Sequence, residues 1–275
     1  MVLTIFNSIL DPIFSPLLVL EPLLSLVIIS FLIALLTTLA YKKFTDQSLM
    51  KDLKDEIKTL QKQMKELKDK PDKMLKVQKK VMDTNMKYMM HSLKPMFFTF
   101  IPIILIFGWL HSHMAYYPIV EDQEFTVTIF FEENYDDLVS LEKLPNDVFL
   151  VKGDLNQKIA DYNTEWVLTG KQGDYNLKFN FKDEIFEKII KIAKDEKKRE
   201  YASPVISQKD NQMFSEFGIE RVEVNNQRVR PLKDAPFVGG ILGSIPWVGN
   251  FGWLGTYILL SIFFSITLRK LLKVY

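Results

Sequence analysis

The chain has 275 residues, a formal net charge of +1 and not one cysteine, which excludes a disulfide framework and thiolate chemistry. Its mean hydropathy of +0.03 would suit a soluble protein. The charge, however, is segregated along the chain, and three apolar runs are long enough to test as membrane spans.

Residues 1–22 carry Asp11, Pro12, Pro16, Glu21 and Pro22 among apolar residues, and read as a short interfacial or re-entrant piece. No Lys or Arg precedes Lys42 and there is no Ala-x-Ala cleavage site, so the signal-peptide pattern is missing. The first apolar run, residues 23–40, has 18 residues without a charge and is expected to stay as an anchor. A mildly polar stripe of Ser30, Ala34 and Thr37 runs along it.

Residues 41–94 hold 15 Lys and 8 acidic residues. Leu53, Ile57, Leu60, Met64 and Leu67 follow at spacings of 4, 3, 4 and 3, a heptad seam that needs a partner helix. Pro71 interrupts it, because proline lacks an N–H and forces the preceding residue out of the helix. Met74, Val77 and Val81 restart it. The pattern predicts a coiled-coil hairpin closing on itself. Eight of the eleven methionines lie between Met50 and Met96. Met82, Met86, Met89 and Met90 sit at helical spacing near Tyr88 and read as a flexible surface for apolar client segments. Lys76, Lys79, Lys80 and Lys87 are candidate contacts to ribosomal RNA or anionic headgroups.

The second expected span, residues 95–117, has an uncharged apolar part of only 15 residues, 96–110, with Pro102 and Gly108 inside it. At 1.5 Å per residue it covers roughly 22 Å of a hydrocarbon core of about 30 Å. Short spans favour local thinning of the bilayer. Thr99 is its polar residue. His111 and His113 do not share a helix face and make a poor metal pair; beside Trp109, Tyr116 and Tyr117 they read as interfacial.

Residues 118–236 are expected to form a β-rich α+β domain. Strands are predicted at 125–131 and 148–151, a hairpin from 165–169 with 175–181, and another from 222–224 with 228–230. Ile185, Phe186, Ile189, Ile190 and Ala193 predict a helix over 183–199. The region lacks histidine, a Gly-rich phosphate loop and any nucleophile–base arrangement. Gly239-x-x-x-Gly243 falls in a bent interfacial lead-in at 237–250. The third expected span, 251–268, has 18 uncharged residues with Tyr257, Ser261 and Ser265 as its polar stripe, before a tail at 269–275. Lys/Arg placement puts the hairpin and the C-terminus in the cytosol, and the N-terminus and the sheet domain outside.

The expected fold class is therefore an α-helical membrane protein with three transmembrane helices, a cytosolic antiparallel coiled-coil hairpin and an extracytoplasmic β-rich domain. The order of parts resembles the archaeal YidC-like proteins of the YidC/Oxa/Alb insertase superfamily. The resemblance is carried by residues 76–82 (Lys-Val-Gln-Lys-Lys-Val-Met) through Lys94-Pro95-Met96-Phe97, and by residues 251–261 through Arg269-Lys270-Leu271-Leu272. It implies insertion of client membrane segments through a lipid-open groove lined by Ser30, Thr37, Thr99, Tyr257, Ser261 and Ser265, without catalysis or a cofactor. The implied partners are nascent membrane proteins, the ribosome, anionic lipids and a further membrane subunit, with no small-molecule substrate. Two features depart from that family: its bacterial members carry an arginine in the groove whereas these three runs are uncharged, and the sheet domain is not part of the shared core. A structural scaffold, whose outer domain binds a partner, is the competing reading. Uncharged spans argue against ion or proton transport.

Overall fold

The computed structural model describes residues 2–67 and 69–274. The chain divides into two compact units, Met1–Pro22 with Trp109–Trp253, and Leu23–Gly108 with Leu254–Tyr275.

The second unit is helical. Helix α1 (Val2–Leu18) precedes it in the chain, and α2 (Pro22–Phe44) opens it. At 23 residues α2 is roughly 34 Å long, enough to cross a hydrocarbon core. Its last turn carries Lys42 and Lys43, cations that suit the negative end of the helix dipole. Helix α3 (Gln47–Glu66) starts at Asp46, whose carboxylate accepts from the backbone N–H groups of Ser48 at 3.0 Å and Leu49 at 3.1 Å. These bonds and the Ser48 hydroxyl hold Asp46 below the usual carboxylate range. Helix α4 (Pro71–Met114) then runs for 44 residues, with Pro71 in the first turn, where a missing N–H costs nothing. On α3, Met50, Leu53 and Leu60 are buried and Ile57, Met64 and Leu67 half-buried. On α4, Thr84 is buried and Met74, Val77, Val81 and Tyr88 half-buried. Gln47 and Leu49 at the start of α3 are also half-buried, and the remaining described side chains of both arms up to Met90 are exposed.

Two prolines lie inside α4, Pro95 and Pro102. Between its segments Pro71–Phe97 and Thr99–Met114 the helix bends by 51°. Pro102 accounts for the position. It cannot donate to the Phe98 carbonyl four residues earlier, and its ring pushes that carbonyl aside.

The first unit is dominated by strands. In chain order they are β1 (Ile119–Val120), β2 (Phe125–Phe131), β3 (Leu138–Leu141), β4 (Val148–Lys152), β5 (Asn156–Lys158), β6 (Asn163–Gly170), β7 (Gly173–Phe181), β8 (Glu184–Ala193), β9 (Val205–Ser207) and β10 (Ile219–Val224). Short helices α5 (Met213–Glu216), α6 (Pro231–Asp234) and α7 (Gly239–Leu242) follow or interrupt them, and α8 (Trp253–Leu271) closes the chain. One sheet has the order β1-β8-β7-β3-β5 and the other β4-β6-β2-β10-β9. Their inner faces share one core containing Phe125, Val127, Trp166, Phe179, Phe181 and Phe186. Ring pairs cross between the sheets, Trp166 with Phe179 at 5.2 Å and Phe131 with Phe181 at 5.1 Å. Within the same unit, Asp11 of α1 accepts from the Trp109 indole at 2.7 Å, and Phe14 lies 5.3 Å from the Trp109 ring.

Several expectations are overturned. The described residues contain two helices long and apolar enough to cross a membrane, α2 and α8, not three. The stretch expected as the second span is the end of α4. Its uncharged part is too short alone, and it continues the preceding helical arm across the 51° bend. It passes the length-and-composition test only when both sides of the bend are counted together. A fold class of three transmembrane helices also understates the strands, which build two five-stranded sheets.

The predicted helix at 183–199 is largely β8. Read with period 2, Phe186, Lys188, Ile190 and Ile192 point inward, and Ile185, Glu187 and Ile189 outward. Nine register pairs with β7 settle the competition between periods. The β7–β8 turn places Lys182 at φ 53° and Asp183 at φ 66°, the primed-turn geometry of a two-residue hairpin without glycine. The expected pairing of 165–169 with 175–181 does not form, because β6 and β7 enter different sheets. Nor do 222–224 pair with 228–230; β10 pairs with β2 and β9. Arg199, expected at a helix end, is buried and donates to the Leu20 carbonyl at 2.5 Å.

Two outcomes follow. Pro102→Ala restores the N–H that the Phe98 carbonyl lacks and should relax the bend. Spin labels at Lys73 and His111, introduced as single cysteines in pairs, should then move apart by about 5 Å, from helix rise and the loss of the bend; an unchanged distance would assign the bend to packing. The second concerns Lys188, 1% exposed, whose ammonium donates to the carbonyls of Ser203 at 2.6 Å and Pro204 at 3.0 Å. Burial pushes its pKa down to about 8. A folded pKa below the unfolded one means that the unfolded chain binds more protons between pH 8 and 10.5. Stability should therefore rise with pH across that window, by roughly 3 kcal/mol from this group. Thermal unfolding in detergent, followed by circular dichroism, should show that rise, and Lys188→Met should flatten it.

Candidate functional site

A cavity of about 370 Å³ opens within the helical unit. Its walls are Thr37, Thr38 and Tyr41 of α2, Tyr88, Ser92, Pro95, Met96 and Thr99 of α4, and Ser265 and Arg269 of α8. Each helix contributes the residues near one end of its apolar stretch. The Arg269 guanidinium lies over the Tyr41 ring, 4.9 Å from its centroid. The Tyr41 hydroxyl meets the Ser92 hydroxyl at 3.2 Å, and Lys42 donates to the Leu272 carbonyl at 3.0 Å. The C-terminal ends of α2 and α8 are thereby joined. The wall hydroxyls satisfy themselves along their own helices: Thr37 on Ile33 and Ala34, Thr38 on Ala34, Ser92 on Tyr88, Thr99 on Pro95 and Met96. Such hydroxyls can remain in an apolar setting without partners elsewhere, yet their second lone pairs stay available to a guest.

The predicted groove residues divide. Thr37, Thr99 and Ser265 share this cavity. Ser30 is fully buried with no hydrogen-bond partner for its hydroxyl, and does not line the cavity. Tyr257 is buried edge-on against Phe107 at 4.8 Å. Ser261 bonds back to the Ile258 carbonyl at 2.9 Å. None of these three lines the cavity. Thr38, Tyr41, Ser92, Pro95 and Arg269 were missed. The available signal was that the polar residues nearest the lysine-bearing helix ends fall at one level; Arg269, counted as tail, is the last-turn residue of that level.

Met82, Met86, Met89 and Met90 are all exposed. With Leu93, Met96 and Phe97 they form one helix face, distinct from the half-buried stripe of α4. Lys76, Lys79, Lys80 and Lys87 are exposed beside that face. His113 is buried, with its Nδ1 2.9 Å from both the Ser112 hydroxyl and the Trp109 carbonyl, and the ring stacks on Trp109 at 4.4 Å. His111 is exposed and lies 6.3 Å from Trp253, ring to ring. Among the described residues no group of three or more His, Cys, Asp or Glu side chains could hold a metal ion.

Two apolar helices of spanning length, one followed by the lysine-rich helix α3, define a membrane protein. Residues 7–139, just under half of the chain, match the model of the EMC3/TMCO1-like family of integral membrane proteins. That family lies in the Oxa1/YidC/Alb3 insertase superfamily and is linked to membrane protein insertion. The superfamily agrees with the resemblance drawn from the sequence, whereas the family matched is not the YidC one. The matched stretch includes α2, α3 and α4, and stops before α8. No curated protein and no solved structure matches the chain.

Proposed function

We propose that this protein is a non-enzymatic insertase or chaperone that passes client transmembrane segments through the groove between α2, α4 and α8. The observation that carries the reading is the polar cavity walled by otherwise apolar helices, with Arg269 at its lysine-rich end. A client's polar flank crossing a bilayer meets a desolvation barrier of several kcal/mol per unsatisfied group. Hydroxyls at Thr37, Thr38, Ser92, Thr99 and Ser265 lower that barrier without ATP or a reacting residue. The guanidinium of Arg269 attracts acidic flanks, and the Tyr41 ring holds it in place. The exposed methionine face, from Met82 to Met96, receives the apolar part of the client, because unbranched thioether side chains adapt to varied shapes.

In this reading the hairpin and the C-terminus are cytosolic. Fifteen Lys between residues 41 and 94, together with Arg269, Lys270 and Lys273, support that side. The N-terminus and the sheet domain lie outside. The exposed Lys76, Lys79, Lys80 and Lys87 engage the ribosome, nascent membrane proteins arrive there, and anionic lipid competes for the same lysines.

The test is insertion of a single-span client with an acidic flank into proteoliposomes. Thr37→Leu combined with Ser265→Leu fills the cavity and should slow insertion about tenfold, equivalent to about 1.4 kcal/mol in the barrier. Arg269→Leu should slow the acidic client and spare a client with neutral flanks. Wild-type rates in both variants would refute the groove. Replacing the four lysines by Gln should reduce ribosome co-sedimentation; if only vesicle binding falls, the hairpin is a lipid contact.

A further inference from the structure

The segment between α6 and α8 displays large apolar side chains that the sheet core does not use. Phe237 is 93% exposed, Ile241 74% and Trp247 67%, with Ile245 also exposed. No charged residue occurs from Ala235 to Leu268. We propose that residues 236–252 form a lipid-binding foot, which inserts its apolar side chains into the headgroup–acyl boundary of the bilayer at the N-terminal end of α8.

Three independent observations support a lipid occupant. The first is length. Helix α8 has 19 residues, about 28 Å, and so spans a hydrocarbon core of about 30 Å by itself. The chain immediately before it has no further depth to cross and emerges at the interface. Trp247, Phe251 and Trp253 cluster there, with Trp247 and Phe251 edge-on at 5.8 Å, as aromatic residues do at membrane–water boundaries.

The second is backbone satisfaction, the strictest requirement near lipid. Successive turns pair part of the segment's backbone internally: Gly239 N–H to Ala235 O at 2.9 Å, Leu242 to Val238 at 2.8 Å, Gly243 to Gly239 at 2.9 Å, Gly249 to Ile245 at 2.9 Å and Phe251 to Val248 at 3.1 Å. The Ser244 hydroxyl and the Asn250 amide turn back onto the Gly240 and Pro246 carbonyls. Pro236 and Pro246 have no N–H to satisfy.

The third is that the display is built. A Cβ on Gly239 would collide with the Lys233 carbonyl, on Gly243 with the Gly239 carbonyl, and on Gly249 with the Gly243 carbonyl. The glycines let the turns stack backbone on backbone, which drives the large side chains outward. A loose linker would need no such contacts. Because the foot carries no charge, its hold on lipid is apolar and insensitive to salt, unlike a polybasic contact.

The absence of cysteine allows a direct test on the full chain reconstituted in phosphatidylcholine vesicles. Single variants Phe237→Cys, Ile241→Cys and, as a sheet-domain reference, Val151→Cys are labelled with an environment-sensitive fluorophore. All three positions are exposed, so folding should be unaffected. Labels at 237 and 241 should lose most of their emission to phospholipid brominated high on the acyl chain, and little to aqueous iodide. The label at 151 should do the reverse. The pattern should be the same in low and high salt. Iodide quenching at 237 and 241 would overturn the proposal, and so would protection from both quenchers, which would mean that protein covers the segment.

Discussion

The helical unit depends on the contact between the C-terminal ends of α2 and α8. Tyr41 lies under the Arg269 guanidinium, and Lys42 reaches the Leu272 carbonyl. Both contacts put a cation where the helix dipole is negative, so each helix end gains from the other's side chain. The consequence is geometric. With those ends joined, the mildly polar residues of α2 and α8 fall at one level, and α4 supplies Ser92 and Thr99 to close the third side. Without the contact, Thr37 and Ser265 would be isolated hydroxyls on two apolar rods.

The bend of α4 works from the same level. Pro102 lacks a donor for the Phe98 carbonyl, and the helix turns at that point. Residues before the bend belong to the hairpin arm, with its half-buried stripe on one face and its methionines on another. Residues after it are apolar nearly all round. One continuous helix therefore carries both the exposed methionine face and the cavity-wall residues Tyr88, Ser92, Pro95, Met96 and Thr99, all but Thr99 before the bend.

How much of this was legible in the sequence follows from which forces are local. The heptad stripe, the proline start of α4 and the apolar runs of α2 and α8 are local patterns, and the elements appear where those patterns lie. Strands 125–131 and 148–151 were legible for the same reason. The span count was not, because length alone cannot tell a separate helix from the tail of a longer one. β8 was misread because Ile185, Phe186, Ile189 and Ile190 satisfy period 3.6 and period 2 together. Only pairing with β7, a non-local effect, selects between them. That choice also buries Lys188, which a helical reading would have left on a polar face. Of the cavity wall, Thr37, Thr99 and Ser265 were legible as polar residues in apolar runs. Arg269 was hidden by a boundary drawn at the first charge, although a long side chain in a span's last turn reaches back along it.

The two ends of α8 illustrate how one helix can be fixed without a charge in its apolar stretch. At its C-terminal end Arg269 and Lys270 are held by an aromatic ring, a helix dipole and, in the topology proposed, anionic headgroups. All of these are electrostatic and weaken with salt. At its N-terminal end the 34 residues from Ala235 to Leu268 are uncharged, and the foot relies on apolar area, which salt leaves untouched. A helix anchored in this asymmetric way resists sliding along its axis in both directions. Moving it toward the foot drags charges into hydrocarbon; moving it the other way pulls Phe237, Ile241 and Trp247 through the core or strips them from it. The axial position of Ser265, and with it the level of the cavity, is thus set by both ends at once.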